Sequence, residues 1–454
     1  METRDLSKIV KAYDVRGLVP DEFDEQISRD LGAAFAQLVT APAVVTAHDM
    51  RESSVPLSRA FAEGVLSQGV DVVETGLGST DMLYFASGSL NLPGAMFTAS
   101  HNPAQYNGIK LCRAGAAPIG AETGLREVQR LAESGPLQPG PRVGAARTQD
   151  MLEPYADFLR GLVDLRANRR LTVVVDAGNG MGGHTVPAVL ADLPLSVIPM
   201  YFELDGSFPH HEANPLDPAN LVDLQAKVLE VGADVGLAFD GDADRCFVID
   251  ERGEPLSPSA VTALVAVREL AKHPGEVIIH NLITSRAVPE IVAESGGRPV
   301  RTRVGHSYIK AEMARTNAVF GGEHSAHYYF RDFWRADTGM LAALHVLAAL
   351  GEQDGPLSEL GRGYERYAGS GEINSIVDDP VESYAAVEKV FGDRPGAEID
   401  RLDGLTVSFP DGSWFNLRAS NTEPLLRLNV EGREPARMEQ LRDEVLEVVR
   451  DRTV

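Results

Sequence analysis

The feature that most constrains the fold is a unit that recurs three times along the chain. Each copy begins with a β-rich run that ends in a polar or glycine turn and continues into a helix-like stretch. The three copies begin at residues 44–51, 171–183 and 276–287. Each then offers a second strand candidate, at residues 70–73, 195–200 and 299–304. Strands that alternate with helices indicate parallel sheets, so we predict an α/β protein with three similar mixed α/β domains in tandem.

Each copy closes with a third strand that runs into a distinctive loop. These closing loops are residues 98–103, 240–245 and 321–327. Chemistry in open α/β sheets collects beyond the carboxyl ends of the strands. We therefore expect the three loops to face one central cleft.

The three copies are separated by segments rich in glycine, proline and polar residues, and a different pattern follows them. The separating segments are residues 133–144, 250–258 and 367–379. After residue 369 the pattern becomes α+β, with strands at 405–409, 413–417 and 425–430 and a final amphipathic helix at 437–449. The predicted domains are 1–145, 146–253 and 254–368, each α/β, and a smaller α+β C-terminal domain, 369–454.

Net charge and cysteine content limit the partners that we expect the protein to bind and the cellular compartment in which we expect it. The net charge of −24 argues against a general affinity for nucleic acid or anionic membrane, and an anionic substrate would need a local basic pocket. Only Cys112 and Cys246 are present, too few for a disulfide framework. No segment has the uninterrupted apolar length of a membrane span or signal peptide. We expect a cytoplasmic protein with no nucleic-acid or membrane partner.

Three carboxylates alternate in the second closing loop. Asp240, Asp242 and Asp244 directly follow an apolar run, residues 235–239. Like charges packed this closely are costly unless a cation neutralises them, and oxygen-only ligands suit Mg²⁺. The glycine and glutamate positions of a calcium EF-hand are missing. A magnesium site is therefore predicted, with a solvated acidic turn as the alternative.

The first closing loop carries a serine whose role has two interpretations. Ser100 follows the apolar run 94–97, and its hydroxyl is either a turn residue or a covalent carrier. Shortly after it, Lys110 could serve as a general acid or base if its surroundings depress its pKa.

Two further loops have the composition of binding sites for sugar and for anions. In residues 321–327, Glu323 and Ser325 could hydrogen-bond vicinal hydroxyls, although a structural turn is the alternative. In residues 418–424, an arginine, two hydroxyls and an amide could form an anion nest with Arg427 nearby; the alternative is a plain hairpin connection.

Taken together, four motifs resemble those of the α-D-phosphohexomutase superfamily. They are T-A-S-H-N-P at residue 98, D-G-D-A-D-R at 240, G-E-H-S-A-H at 322 and R-A-S-N-T-E-P at 418. The resemblance covers all four predicted domains. The branch that it resembles most is that of phosphomannomutase and phosphoglucomutase.

The resemblance implies a set of site residues. Ser100 would be carried as a phosphoserine, and Mg²⁺ would be held by Asp240, Asp242, Asp244 and a phosphoryl oxygen on Ser100. The residues implied around the reacting groups are Arg16, His101, Lys110, Arg245 and His327, with Lys110 as the proton-transfer group. The implied substrate-binding residues are Tyr13, Gly305, His306, Glu323, Ser325, Arg418, Ser420, Asn421, Thr422 and Arg427.

The resemblance also implies a reaction. A phosphorylated hexose, mannose 6-phosphate, would be interconverted with mannose 1-phosphate through a hexose 1,6-bisphosphate that serves as intermediate and activator. The glucose phosphates are a second pair of substrates to consider, because the resemblance includes dual phosphomannomutase/phosphoglucomutase enzymes. Ile283 stands where some dual-specificity relatives have a lysine and His324 where methionine is common, which leaves the sugar preference open. The alternatives are a phosphoglucosamine mutase and a non-catalytic sugar-phosphate-binding protein. A monomer or weak dimer is expected.

Overall fold

The computed structural model describes residues 5–377, 379–419 and 425–450. Within these, the chain forms two compact units. Unit 1 combines Met1–Leu256 with Ser325–Leu360, and unit 2 combines Ser257–His324 with Gly361–Val454.

The first sheet of unit 1 has seven strands. They are β1 (Val15–Leu18), β2 (Ala43–His48), β3 (Asp71–Leu77), β4 (Gly94–Phe97), β5 (Tyr106–Arg113), β6 (Ala117–Pro118) and β7 (Ala146–Thr148). The order is β1-β5-β4-β2-β3-β7, with β6 paired to β5. Strands β4, β2, β3 and β7 run parallel, whereas β5 is antiparallel to both neighbours. The helices are α1 (Glu25–Val39), α2 (Ser54–Ser67), α3 (Thr80–Leu90) and α4 (Arg126–Glu133).

The second sheet of unit 1 repeats the plan with five strands. They are β8 (Leu171–Asp176), β9 (Leu195–Met200), β10 (Val235–Phe239), β11 (Cys246–Ile249) and β12 (Pro255–Leu256), in the order β12-β11-β10-β8-β9. The helices are α5 (Leu152–Leu162), α6 (Gly182–Val189) and α7 (Val222–Val231). Every residue of β10 is buried, as expected for a parallel strand covered on both faces. The acidic loop joins β10 to its antiparallel neighbour β11.

The next part of the chain contributes to both units. Unit 2 begins with α8 (Pro258–Lys272), β13 (Val277–Asn281), α9 (Ala287–Glu294), β14 (Arg298–Thr302), α10 (His306–Thr316) and β15 (Phe320–Gly322). In it, β13 lies between β14 and β15, and all three are parallel. Unit 1 then gains the antiparallel pair β16 (Tyr328–Phe330) and β17 (Ala336–Asp337), followed by α11 (Gly339–Gly351). Helix α12 spans Leu357–Arg362.

The C-terminal sheet of unit 2 is entirely antiparallel. Its elements are β18 (Ala368–Ile376), α13 (Pro380–Phe391), β19 (Glu398–Asp400), β20 (Leu405–Ser408), β21 (Trp414–Ala419), β22 (Leu425–Gly432) and α14 (Pro435–Arg450). The order is β18-β22-β21-β20-β19. The predicted hairpin, third strand and final helix are confirmed. The prediction of a linker at 367–379 is wrong, because β18 occupies most of it; this strand is rich in glycine and serine and largely exposed, so its sequence has the composition of a loop.

The predicted loops all follow the ends of sheet strands. The loop of Ser100 follows β4, the acidic loop follows β10 and the loop of Glu323 follows β15. Short capping residues start the adjoining helices: Ser79 caps α3 and Thr338 caps α11, each accepting a backbone N–H with its hydroxyl. Among the described residues, no helix is both long and apolar enough to cross a membrane.

Candidate active site

Ser100 has an unusual backbone conformation that its neighbours hold in place. Its φ is 51°, in the left-handed region that residues other than glycine rarely adopt. Its N–H donates to Thr98 Oγ1 at 2.9 Å, and its side chain is buried. The hydroxyl lies 3.1 Å from Asp240 Oδ2 and 3.2 Å from His101 Nδ1. The serine oxygen is thus fixed beside a carboxylate of the acidic loop.

A buried arginine organises the serine loop from beneath. The Arg51 guanidinium donates to four carbonyl oxygens, those of Ser100 at 2.9 Å, Asn102 at 2.7 Å, Pro103 at 2.9 Å and Tyr106 at 3.0 Å. Asp49 Oδ2 completes its partners at 3.2 Å. Burial is the largest influence on Arg51 and lowers its pKa, while the negative charge of Asp49 opposes this. One rigid fork therefore fixes the loop's backbone at several points.

The acidic loop brings its three carboxylates together next to the serine loop. Asp240, Asp242 and Asp244 are all buried, and one oxygen from each lies within 4.8 Å of the others. Gly241 is required by the close approach of the two loops, because a Cβ there would lie 2.4 Å from the carbonyl oxygen of Ser100.

Two cations neutralise part of this charge. Lys110 Nζ lies 2.7 Å from Asp242 Oδ2 and 2.6 Å from Asp244 Oδ2. Arg245 donates from Nε to Asp240 Oδ2 at 2.9 Å, and its backbone N–H donates to Asp240 Oδ1 at 3.1 Å. The loop thus holds three carboxylates against two cations.

The first residue of α3 also anchors the acidic loop. Thr80 donates from its hydroxyl to Asp242 Oδ2 at 2.6 Å and from its N–H to the Asp242 carbonyl oxygen at 3.0 Å. This contact ties the first sheet's helix layer to the second sheet's loop within unit 1.

Burial and neighbouring charges shift the pKa values of two of the carboxylates in opposite directions. Burial raises the pKa of Asp240 to about 8 despite Arg245. Burial also opposes ionisation of Asp242, but Lys110 and Thr80 outweigh it and hold the pKa of Asp242 below its ordinary value. For Lys110, burial favours the neutral amine, but Asp242 and Asp244 outweigh it and raise its pKa well above the usual value. The depressed pKa considered for Lys110 from the sequence is therefore wrong for this arrangement, because the two carboxylates favour the protonated amine.

The donor set suits a hard divalent cation. Asp242 Oδ1 and Asp244 Oδ1 are buried and have no hydrogen-bond partner among the described residues. Buried carboxylate oxygens that lack a partner are costly, and a metal ion satisfies them. The buried acidic cluster can therefore hold a metal ion.

Residues around the serine place further positive charge close by. Arg16, on β1, donates from Nη1 to Asn102 Oδ1 at 2.6 Å and pairs with Asp14. Burial, with the charges of Arg245 and Arg16 adding to it, lowers the pKa of His101 well below its usual value. Burial and these charges thus favour the neutral imidazole of His101 beside the serine. Tyr13 lies in the bend just before β1 and packs near Gly120.

The remaining predicted residues of unit 1 lie between β15 and β16. His327 Nε2 is 3.7 Å from Asp244 Oδ1, and its Nδ1 lies 3.1 Å from Ser325 Oγ. The structure thus brings Ser325 and His327 to the acidic loop.

Glu323 and His324, in the loop predicted to bind sugar, form hydrogen bonds within unit 2. Glu323 Oε1 accepts from Asn281 Nδ2 at 3.1 Å and from the N–H of Gly305 at 3.2 Å. His306 begins α10 directly after Gly305. His324 Nδ1 lies 3.1 Å from Ser259 Oγ, and burial lowers the pKa of this imidazole. Glu323 therefore joins two strand ends of this sheet.

The predicted anion nest is described in part. Arg418 and Arg427 face each other across β21 and β22. Glu372 of β18 lies near both, with Oε1 3.2 Å from Arg427 Nη1 and Oε2 3.9 Å from Arg418 Nη2. Three members predicted for the nest lie outside the described residues: Ser420, Asn421 and Thr422.

Sequence reasoning missed three contributors. Arg51 follows Asp49 at the end of a buried strand, and that pair was the available signal. Thr80 gave no signal beyond its place at a helix start. Glu372 was hidden in the stretch predicted as a linker.

Comparison with known proteins adds independent information. Four family models match in tandem: phosphoglucomutase/phosphomannomutase alpha/beta/alpha domain I at residues 7–137, domain II at 153–253, domain III at 257–367 and the C-terminal domain at 372–448.

Similar proteins cover nearly the whole chain. A phosphomannomutase of Escherichia coli K12 is 41% identical over 433 residues, which is 93% of this chain and 94% of the relative. A protein of Xanthomonas campestris pv. campestris named "Phosphohexose mutases" is 40% identical over 95% of this chain and 96% of its own length. A crystal structure of a family protein from Burkholderia thailandensis superposes with a TM-score of 0.89 at 31% identity and covers 98% of this chain and 97% of that one. The chain therefore belongs to the phosphoglucomutase/phosphomannomutase family, with three α/β/α domains and a C-terminal domain in tandem.

Proposed function

We propose that this protein is a phosphomannomutase that interconverts mannose 6-phosphate and mannose 1-phosphate through a phosphoserine at Ser100. The observation that carries the proposal is the buried contact of Ser100 Oγ with Asp240, beside the ion pairs of Lys110 with Asp242 and Asp244. The names of relatives about 40% identical over nearly the whole chain support the choice of sugar.

The proposed metal is Mg²⁺, with Asp240, Asp242, Asp244 and a phosphoryl oxygen on Ser100 as its ligands. The oxygen-only donor set supports this choice, as do the two buried carboxylate oxygens that accept no hydrogen bond from the described residues. When bound, Mg²⁺ neutralises charge on the transferring phosphoryl group.

Each half of the reaction exchanges one phosphorus–oxygen bond for another. A sugar hydroxyl oxygen attacks the phosphorus of phosphoserine, the bond to Ser100 Oγ breaks, and a hexose 1,6-bisphosphate forms. After this intermediate has reoriented, Ser100 Oγ attacks the phosphorus of its other phosphate. The bond from that phosphorus to the sugar oxygen breaks, and the phosphoserine forms again. Such transfers depend on positioning and charge neutralisation, which the fixed serine loop and the cations Arg16 and Arg245 provide.

Lys110 is the group that we assign to proton transfer. Its two carboxylate partners keep it protonated, so it can donate a proton to Ser100 Oγ as the phosphoryl group leaves. The resulting neutral amine can accept the proton of the attacking sugar hydroxyl. His101, Arg245 and His327 complete the reacting end in this proposal.

Substrate recognition is assigned to residues from several loops. Glu323 and Ser325 would hold sugar hydroxyls, and Tyr13, Gly305 and His306 would line the sugar site. The non-reacting phosphate would be held by Arg418, Ser420, Asn421, Thr422 and Arg427. Because the bisphosphate must present either phosphate, this set has to accept both orientations.

Four further predictions concern the protein as a whole. We keep the four domain boundaries, a monomer or weak dimer, a hexose 1,6-bisphosphate as activator, and a cytoplasmic location, which is supported by two buried cysteines that form no disulfide.

The test follows the phosphoryl group. Intact mass would be measured before and after incubation with a hexose 1,6-bisphosphate, for the wild type, Ser100→Ala and the exposed control Ser134→Ala. We expect the wild type and the control to gain one phosphoryl mass, and Ser100→Ala to gain none and lose turnover at least about a thousandfold. Full activity of Ser100→Ala would overturn the mechanism. Parallel kcat/KM values for mannose, glucose and glucosamine phosphates would test the sugar, and a preference for glucosamine 6-phosphate would overturn that part.

A further inference from the structure

The arginine pair of unit 2 is an electrostatic problem that the fold itself creates. Arg418 and Arg427 are direct partners in the antiparallel ladder of β21 and β22. Side chains at such positions stand about 5 Å apart at Cβ, and like charges there repel. Their side chains are only 12% and 29% exposed, so water screens the repulsion incompletely.

Glu372 supplies the opposing charge from the neighbouring strand. Its two carboxylate oxygens are divided between the two arginines, one toward each. In the ladder of β18 and β22, Arg427 lies opposite Asn374, so Glu372 is its diagonal neighbour on the same face.

A local irregularity of β18 accompanies this placement. The register shifts between Gly369 and Glu372, and Gly371 has a φ of 66°. Because strand side chains alternate between faces, a slip of one residue would turn Glu372 to the other face, and bulges are a means of re-aiming one side chain.

The contact leaves donor capacity unused. The distance from Glu372 Oε2 to Arg418 Nη2 is 3.9 Å, longer than a hydrogen bond, and Arg418 Nε has no hydrogen-bond partner among the described residues. A carboxylate offers two oxygens, whereas a phosphate offers three and a larger charge.

We propose that Glu372 is a specificity-determining residue that occupies the arginine pair as an internal competitor and is displaced by the non-reacting phosphate of the substrate. This inference rests on the proposed function, since it deepens the role assigned there to Arg418 and Arg427. Only an anion that binds the pair better than a carboxylate enters. Competition from Glu372 also weakens the binding of phosphate to Arg418 and Arg427. The bisphosphate can therefore dissociate from the arginine pair and present its other end.

The test compares Glu372→Gln with Glu398→Gln, which removes the same charge from an exposed position on β19 of the same sheet. Inorganic phosphate binding would be measured by calorimetry, and KM and kcat with mannose 6-phosphate. Glu372→Gln should bind phosphate about threefold to tenfold more tightly and lower KM by a similar factor, the range expected for loss of a partly exposed ion pair. Glu398→Gln should match the wild type.

A second measurement keeps the inference distinct from a purely structural role. The thermal midpoint of Glu372→Gln should fall without phosphate and recover at saturating phosphate, because the arginines then regain an anion. The gain in phosphate affinity should vanish when Arg418→Gln is added, as a double-mutant cycle requires for a coupled pair.

The outcomes separate this inference from the proposed function. Unchanged or weaker phosphate binding by Glu372→Gln would overturn the inference even if the enzyme is an active mutase. Tighter phosphate binding in a protein without mutase activity would support the inference and reject the function.

Discussion

The loops of unit 1 and the arginine pair of unit 2 handle charge in opposite ways. Around the serine, Asp242 is fully buried and bound to Lys110 at 2.7 Å. In the arginine pair, Arg427 and Glu372 are each about a third exposed, and their contacts are longer. The charged groups around the serine are held by short, buried ion pairs. The charged groups of the arginine pair are held by longer and more exposed contacts.

The difference matches two chemical demands. Phosphoryl transfer requires reacting atoms to be fixed to within fractions of an ångström. In the proposed reaction, the arginine pair would bind one end of a bisphosphate in either orientation, and such a site gains from contacts that can be exchanged. The comparison predicts that substitutions in unit 1 reduce kcat, whereas substitutions at the arginines mainly change KM.

The largest effect is expected from Asp242→Asn. This change removes a partner of Lys110 and a proposed metal ligand, so kcat should fall by about a thousandfold. Mg²⁺ should raise the thermal midpoint of the wild type but have a smaller effect on the variant. The measurements are steady-state kinetics and thermal unfolding with and without chelator. An equal Mg²⁺ response in both proteins would show that the carboxylate does not hold the metal.

The effect of a buried carboxylate on the stability of unit 1 can be measured at Asp81. This buried carboxylate accepts from Ser79, from Tyr155 at 2.6 Å and from Thr338 at 2.7 Å, and burial raises its pKa to about 6. The folded state therefore binds more protons than the unfolded state between about pH 4 and 6, and the free energy of unfolding falls as pH rises through that window. The loss at pH 7 is about 3 kcal/mol.

Asp81→Asn should remove that dependence. Urea unfolding of both proteins would be measured from pH 4 to pH 7, and the free energy of unfolding of the wild type relative to the variant should decline by about 3 kcal/mol across the range. A difference that stays constant with pH would contradict the raised pKa.

A smaller effect on activity is expected from Arg51→Lys. An ammonium cannot replace the planar fork that binds four carbonyl oxygens, so the serine loop should lose its fixed geometry while the charge remains. We expect kcat to fall about tenfold to a hundredfold with KM little changed. The control is Arg166→Lys, an exposed arginine paired with Asp164. A change confined to KM would break the distinction between the two regions.

The smallest effect is expected from Arg418→Lys. The variant keeps the charge and loses the bidentate fork, so KM for mannose 6-phosphate should rise about threefold to tenfold at nearly constant kcat. Kinetics on the same preparations used for Arg51→Lys would compare the regions directly. A dominant loss of kcat would show that the arginine pair is as rigidly required as the serine loop.

Much of the fold could be predicted because local sequence patterns indicate where strands end and where turns form. Asp240, Asp242 and Asp244 alternate directly behind an apolar strand, which identified the acidic loop without tertiary information. The hairpin around residues 410–412 was equally local. By contrast, the sequence does not predict β18, because its two glycines and two serines have the composition of a loop and its partners in β22 lie about 50 to 64 residues later.

The unpredicted parts of the site depend on distant contacts. Arg51 resembles a surface residue until the loop about fifty residues later supplies its carbonyl partners. The pKa of Lys110 depends on carboxylates more than 130 residues away. Burial and charge pairing of this kind arise only when the strands assemble. The local sequence pattern therefore cannot predict the direction in which a pKa such as that of Lys110 is shifted.

The route of the chain through unit 1 has a consequence for biosynthesis. Thr338 reaches Asp81 across 257 residues of sequence, and Gly339, at the start of α11, packs against the backbone of Arg245, beside Asp244. Helix α11 also covers β11. A nascent chain that has emerged only as far as Leu256 therefore has both sheets of unit 1 but not the residues that close over Asp81 and the back of the acidic loop. Contacts this distant in sequence slow folding and leave intermediates exposed, so translation must pass residue 340 before the acidic loop can acquire its final support.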